Sequence, residues 1–210
     1  MDWATASSLT TGVGTLVLAM STYASVRSAN RAARVAERSL LAGLRPVLVQ
    51  SRVQDPPEQV GFVDEHWVSV PGGHAATEID GDTIYLAIAL RNVGRGLAVL
   101  HGWDLRPERP EGEPARPDEC AFRVLTRDIY VPAGGTGFWQ GAFRDTDDRL
   151  FRPVQEAIKN DTVITVDLLY GDHEGGQRTI SRFSLAPQET DGARIASVSH
   201  HWNLDRPEPR

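Results

Sequence analysis

Two hydrophobic rhythms divide the chain. From Trp3 to Val26 no side chain is charged, and apolar residues form a block around Leu9, Val13, Leu16, Val17, Leu18, Ala19 and Met20. Beyond Pro46, apolar and polar residues alternate in short runs, the period of a strand with one face in a core. The block predicts a helix. At about 1.5 Å per residue, about 20 residues cross a hydrocarbon core of about 30 Å, and a helix is the one single-segment structure that satisfies its own backbone in lipid. Seven hydroxyl residues (Ser7, Ser8, Thr10, Thr11, Thr15, Ser21 and Thr22) dilute the apolar centre, while Trp3 and Tyr23 stand near the ends, where aromatic rings favour the interface. The expectation is a transmembrane helix over residues 1–26. A secretory signal needs a positively charged start, and this chain starts Met1-Asp2-Trp3.

The helical pattern continues beyond the block. Arg27, Arg31, Arg34 and Arg38 are spaced four, three and four apart, so they share one face. From Ala24 there is no proline or glycine until Gly43, and Arg45-Pro46 marks the end because a residue before proline disfavours helical geometry. A basic juxtamembrane helix is expected over 27–44, acting as a stalk. From Arg27 to Arg52 six arginines face a single acid, Glu37. Basic flanks stay on the cytoplasmic side, so the expected protein is single-pass, with its N-terminus outside and its C-terminal domain cytoplasmic. The arginine stripe is expected to contact anionic lipid headgroups of the bilayer, at about 1 kcal/mol per residue near the surface. Ala4, Ser8 and Gly12 recur four apart, as do Ser7, Thr11, Thr15 and Ala19. Such small faces let helices approach closely in lipid, so the expectation is self-association into a homo-oligomer through this helix or its pairing with another membrane helix.

The remainder, 45–205, reads as one domain made mostly of strands. Pro46 to Val53 alternates, and Thr83 to Asn92 is the clearest run, with Ile84, Leu86, Ile88 and Leu90 on one face. Gly94-Arg95-Gly96 breaks it, and Ala98 to Leu105 resumes. Cys120 to Arg127 and Phe138 to Phe143 are further strands on either side of Val131-Pro132-Ala133-Gly134-Gly135. Thr162 to Tyr170 and Arg178 to Leu185 form the best hairpin, with Ile164, Val166, Leu168 and Tyr170 facing a core. Asp167 faces away and is expected to pair with Arg178 or Arg182, for at most about 1 kcal/mol.

Pro107 to Asp118, with Pro107, Pro110, Pro114 and Pro117, reads as a mobile proline-rich loop. Asp145, Thr146 and Asp147 are expected to cap a short helix that runs into Val154, Ala157 and Ile158, with Pro153 at its start. Residues 55–82 are loosely patterned, and 206–210 are expected to be a disordered tail. Short strands in number, glycine-marked turns and one short helix predict a mainly β protein: an antiparallel Ig-like β-sandwich of about seven strands behind one long N-terminal helix.

Charge narrows the function. Six of the 22 basic residues and two of the 28 acidic ones precede residue 53, which leaves 16 against 26, a net charge of −10 for the domain. No nucleic acid partner is expected, because phosphate contacts require a basic surface. A single cysteine, Cys120, makes no intramolecular disulfide, which agrees with a reducing compartment. Asn160-Asp161-Thr162 matches a glycosylation sequon, a pattern short enough to recur by chance.

A membrane helix, an arginine-rich helix, the segment RPVLV, then IALRNVGRGLAVLHGW and the late YGDHEGGQRTISRFSL follow one another in the chain. In this order it resembles uncharacterised bacterial single-pass membrane proteins that join an N-terminal transmembrane helix to a small C-terminal β-sandwich. The resemblance covers most of the chain. It implies the architecture and carries no site residues.

The search for chemistry returns no catalytic residue, no cofactor and no metal ligand. Gly94-Arg95-Gly96 lacks a third glycine and a following helix, so it reads as a turn or bulge and not as a phosphate loop. His173 stands beside Asp172 and Glu174, and His200 and His201 near Asp205, without a recognised metal spacing; adjacent histidines in a strand point to opposite faces. No Gly-x-Ser-x-Gly elbow is present, and Cys120 follows an acidic loop that discourages a thiolate. Trp103, Trp139 and Trp202 read as packing residues; Trp67 is the tryptophan to look for at the surface. The expected function is a membrane-anchored, non-enzymatic interaction or scaffold protein that presents its acidic β-sandwich to a protein partner. Two alternatives are a ligand-sensing domain with a pocket near the Gly94–Gly96 turn and a metal-dependent hydrolase built on the His173 loop.

Overall fold

The structure, a computed structural model, describes residues 3–110, 112–188 and 193–206; within the first helix it does not describe the side chains of residues 3–15, 17, 38, 41 and 42. The chain forms two compact units, Met1–Gly43 and Leu44–Arg210.

The first unit is one α-helix, α1 (Trp3–Gly43), 41 residues long. The two segments expected at 1–26 and 27–44 are thus continuous. Nothing in the sequence interrupts the backbone ladder until Gly43, and Pro46 prevents its extension. Of the hydroxyls, those of Ser21 and Thr22 are satisfied within the helix, donating to the Leu18 carbonyl oxygen at 2.9 and 2.8 Å. Among the described residues no helix is long and apolar enough to cross a membrane. The apolar side chains of α1 are nevertheless exposed, Leu16, Leu18, Met20, Tyr23 and Val26 among them.

The second unit is mainly β. Nine of its strands form a curled antiparallel sheet: β1 (Leu48–Gln50), β4 (His74–Asp80), β5 (Thr83–Asn92), β6 (Ala98–Arg106), β7 (Arg123–Val131), β8 (Thr136–Phe143), β9 (Ile164–Gly171), β10 (Arg178–Pro187) and β11 (Ala193–Asn203). The order along the sheet is β1-β5-β4-β11-β10-β9-β6-β7, with β8 on β5. A separate hairpin joins β2 (Glu58–Gly61) to β3 (Trp67–Val70).

The central strand is β5. One of its edges carries β8 along almost its whole length, Ile84↔Phe143 to Arg91↔Thr136. The other edge is shared end to end by β4, Asp80↔Thr83 to Ala75↔Ile88, and β1, Gln50↔Leu90 to Leu48↔Asn92. β1 and β4 therefore act as one broken strand, and the hairpin β2–β3 is carried on the excursion between them. The alternation in β5 explains both layers. Ile84, Leu86, Ile88 and Leu90 enter the main core, while Tyr85, Ala87 and Ala89 lie beneath Val60, Phe62, Val68 and Val70 of the hairpin. Alanines on that second face let the hairpin come close.

The main core continues through Ile164, Val166, Leu168 and Tyr170 of β9 and Phe183 and Leu185 of β10. The short helix α2 (Phe151–Lys159) adds Phe151, Val154 and Ala157. Its N-cap is Leu150, without a side-chain cap, so none of Asp145, Thr146 and Asp147 caps it; Asp145 accepts from the Asp147 amide in the preceding turn, and Asp148, which was not expected there, accepts from the Leu150 amide, at 2.9 Å each. Pro153 lies in the first turn, where its missing N–H costs no helical bond. Arg194, buried on β11, donates to the Ala157 and Thr162 carbonyl oxygens where α2 ends, and to Thr77 Oγ1 at 3.1 Å.

At the far end of β9 the interior is polar. The Tyr170 hydroxyl, whose proton burial holds on, meets Ser181 Oγ at 2.8 Å and accepts from the Leu48 amide at 3.1 Å. Ser181 in turn meets His201 Nδ1 at 2.7 Å. Arg45 donates to Thr179 and Asn203 and pairs with Asp205.

The loosely patterned stretch 55–82 thus contains β2, β3 and β4, and the strand candidate Cys120–Arg127 divides into a 3-10 turn, Glu119–Ala121, and β7. Short strands of four residues offer two alternations each, too few to stand out from turn residues.

Candidate functional site

The curled sheet has two seams at which strands meet without a full ladder. At the first, β1 faces β11, and side chains stitch it. Gln50 Oε1 accepts from the Val198 amide at 3.0 Å, the Ala196 amide donates to the Gly73 carbonyl at 3.1 Å, and β11 pairs with β4 at Ala193–Ile195.

The second seam is open. β7 is the last strand of the sheet path and β8 pairs only with β5, so no ladder joins β7 to β8 among the described residues. β7 is also bulged. Its register on β6 jumps from Leu100↔Ile129 to Gly102↔Val124, so His101 alone stands opposite residues 125–128. A bulge of this kind bends the strand and leaves backbone groups without ladder partners. The result is a cleft of about 290 Å³, floored by Trp103 and Gly141, with Phe62, Val63, Val124 and Leu125 on its walls.

Two arginines, Arg123 and Arg144, line it, and a third, Arg127, reaches its lining residue Gln140. Arg123 holds Asp148 through two hydrogen bonds of 2.6 and 2.9 Å, and its guanidinium lies 4.7 Å from the Phe143 ring centroid and 5.4 Å from that of Trp103. Those bonds hold the Asp148 carboxyl below the usual carboxylate range. Arg144 donates to Asp64 at 3.1 Å, and the Tyr85 hydroxyl donates to the same carboxylate at 2.7 Å. Burial pushes Asp64 up, but these donors outweigh it and its pKa falls. Arg127 differs: it donates to the amide oxygen of Gln140 at 2.6 Å, stacks over Phe138, and pairs with no carboxylate among the described residues. The floor is tightly set. Trp103 and Trp139 meet edge to face at 5.4 Å, and a Cβ on Gly141 would lie 2.8 Å from Trp139 and 3.2 Å from Trp103. Val124 and Val63 are 82 % and 74 % exposed, an apolar rim without cover.

The residues singled out in the sequence lie elsewhere. Arg27, Arg31 and Arg34 are exposed on α1. The side chain of Arg38 lies outside the described residues, as do those of Ala4, Ser8 and Gly12. Gly94 and Gly96 do form a turn, and its purpose is close passage: a Cβ at either would collide with the backbone of residues 44–47 where the chain enters the domain. His173 is exposed, Asp172 accepts from the Gly176 and Gln177 amides, and His201 turns to Ser181, while His200 lies against Trp202 at 4.1 Å. No group of three His, Cys, Asp or Glu among the described residues is placed to hold a metal. Cys120 is an exposed free thiol. Among the described tryptophan side chains Trp67 is the exposed one, 66 %, lying over Gly61 across the hairpin, and Trp103, Trp139 and Trp202 are buried.

A second hollow, about 390 Å³, lies on the outer face of β9–β11 beside the proline-rich loop, over Thr165, Ser184, Ser197 and Ser199.

Sequence reasoning missed the cleft. Arg123 and Arg127 sit four apart in an irregular strand, and that spacing carries no signal until the bulge and the open edge are known. No protein-family model, curated protein or solved structure matches the chain.

Proposed function

We propose that the chain is a membrane-attached, non-catalytic interaction protein whose β domain receives a protein partner at the cleft between β7 and β8. The observation that carries this reading is the inequality of the two seams. One is stitched by Gln50 and the β4–β11 ladder, and the other leaves two strand edges facing each other over an aromatic floor. Facing edges without ladder partners are the element that peptide-binding domains use to add a strand. In the finer architecture we propose, the sheet is an Ig-like sandwich opened at this seam, a reading supported by the core enclosed between β5 and β9–β10.

Attachment to a bilayer is supported by the uncharged first half of α1, by its exposed Leu16, Leu18, Met20 and Tyr23, and by the arginines that follow. The same arginines favour a cytoplasmic domain.

The test is site-specific photo-cross-linking of the full chain in cells. A probe at Val124 is expected to yield one discrete protein adduct in the membrane fraction, and a probe at Ile195 none. Equal labelling at both positions, or no adduct at Val124, would overturn the interaction site. Recovery of the chain in a high-salt or carbonate wash would overturn the attachment.

A further inference from the structure

We propose that the occupant of the cleft is an extended segment of a partner protein bearing carboxylates, added as a strand along the outer edge of β7, with one carboxylate taken by Arg127. This rests on the reading of the cleft as a protein-binding site and names the chemistry that site selects.

Three observations converge. The first is the backbone. Residues 125–128 have no partner in β6, and no ladder reaches them from β8, so β7 offers donors and acceptors that an extended chain can use. The second is the alternation of the walls. Val124 and Leu125 point to opposite faces of β7, and Phe62 and Val63 line the same cleft, so a strand lying there meets apolar side chains beside the arginines.

The third is charge. The domain carries a net −10 beyond residue 52, yet Arg123 and Arg144 line the cleft, and Arg127 stands beside it, bonded to the lining residue Gln140. Its own chain demonstrates what such arginines bind, since Arg123 and Arg144 each hold a carboxylate, Asp148 and Asp64. Arg127 holds only a neutral amide oxygen. A carboxylate that displaces Gln140 from it exchanges a neutral acceptor for a charged one, and charge-assisted bonds are about twice as strong as neutral ones. A basic segment would meet the Arg127 guanidinium, which has no carboxylate partner among the described residues. A second copy of this chain would bring a second Arg127 to the same edge, which opposes self-pairing through the cleft.

The experiment titrates the purified full chain with short fluorescent peptides that alternate valine with glutamate, with glutamine or with lysine, and reads anisotropy. The glutamate peptide is expected to bind at least about tenfold tighter than the glutamine peptide, a difference of about 1.4 kcal/mol, and the lysine peptide not to bind. Arg127→Gln, at an exposed position, is expected to remove that tenfold preference without changing Tm. N-methylation of alternate peptide amides, which blocks strand pairing while keeping the side chains, is expected to abolish binding. Equal affinity for all three peptides overturns the charge claim, and unchanged binding of the methylated peptide overturns strand addition. A concentration-dependent dimer that Arg127→Gln dissolves overturns the assignment of a foreign partner. Loss of all peptide binding together with a persistent Val124 adduct would refute this inference and leave the interaction reading standing; absence of the adduct removes both.

Discussion

Asp167 and Arg182 stand opposite each other on β9 and β10, joined by two hydrogen bonds of 2.7 and 2.8 Å, with only 1 % and 5 % of their surfaces exposed. Arg106 adds a third bond to the same carboxylate at 2.8 Å, and the Arg182 guanidinium lies 4.8 Å from the Trp202 ring centroid. The sequence reading valued this pair as a surface contact. Burial changes the scale, because removing one member leaves a desolvated charge.

Asp167→Asn is therefore expected to cost about 3–5 kcal/mol in a urea titration. Replacing Asp167 and Arg182 together by apolar residues of similar volume is expected to cost far less, since the uncompensated charge is what destabilises. A double variant as unstable as Asp167→Asn would show that the pair matters for shape and not for charge.

Asn92 ties three segments together. Its Oδ1 accepts from the Val47 and Gly94 amides at 3.1 and 3.0 Å, and its Nδ2 donates to the Gly96 and Val131 carbonyls at 2.7 and 3.1 Å. All four hydrogen-bonding capacities of the amide are used. Asn92→Asp turns the donor into an acceptor aimed at two carbonyl oxygens, so a loss of at least about 2 kcal/mol is expected. Thermal unfolding measures it, and an unchanged Tm would contradict the assigned bonds.

Gly96 has no room for a methyl group against the Leu44 carbonyl, whereas Gly43 has nothing within 4 Å. Gly96→Ala is expected to cost about 1–3 kcal/mol or more through overpacking. Gly43→Ala is expected to stay within about 0.5 kcal/mol, the ordinary range for a surface change. Chemical denaturation of the two variants side by side checks the contrast.

Stability is expected to fall on mild acidification. Burial, and then the neighbouring His200, lower the His201 pKa; burial, and then Arg178, lower that of His101. Both rings stay neutral in the folded state while the unfolded chain takes up protons below about 6.5, the ordinary imidazole value. Their contribution is fully present above that pH and is lost as pH falls toward the folded-state values. Urea midpoints at neutral and at mildly acidic pH read the effect, and His201→Gln is expected to flatten it.

How far the chain could be read in advance depends on how long its local patterns last. β5 was legible end to end because its alternation runs unbroken from Thr83 to Asn92. The hairpin of β9 and β10 was legible for the same reason, with a glycine-rich turn between. The long helix was legible from its uncharged first half and from the lack of proline or glycine between Ala24 and Gly43. β2 to β4 were not, since each is short and two of them have only four residues. The pairing of Asp167 was foreseen and its burial was not. An outward-facing position on a strand reads as solvated unless one knows that Arg106, Arg182 and Trp202 close over it.

Periodicity along the chain assigns each residue to a face, because a side chain's direction follows from backbone geometry alone. It settles α1 and the inward rows of β5 and β9, while composition alone fixes the acidity of the domain. Which strands become neighbours is a different matter, decided when residues far apart in sequence come together. Arg127 acquires meaning only when β7 bulges from β6 and finds no ladder on β8. An open edge is a property of the pairing as a whole, so no local run of residues can announce it.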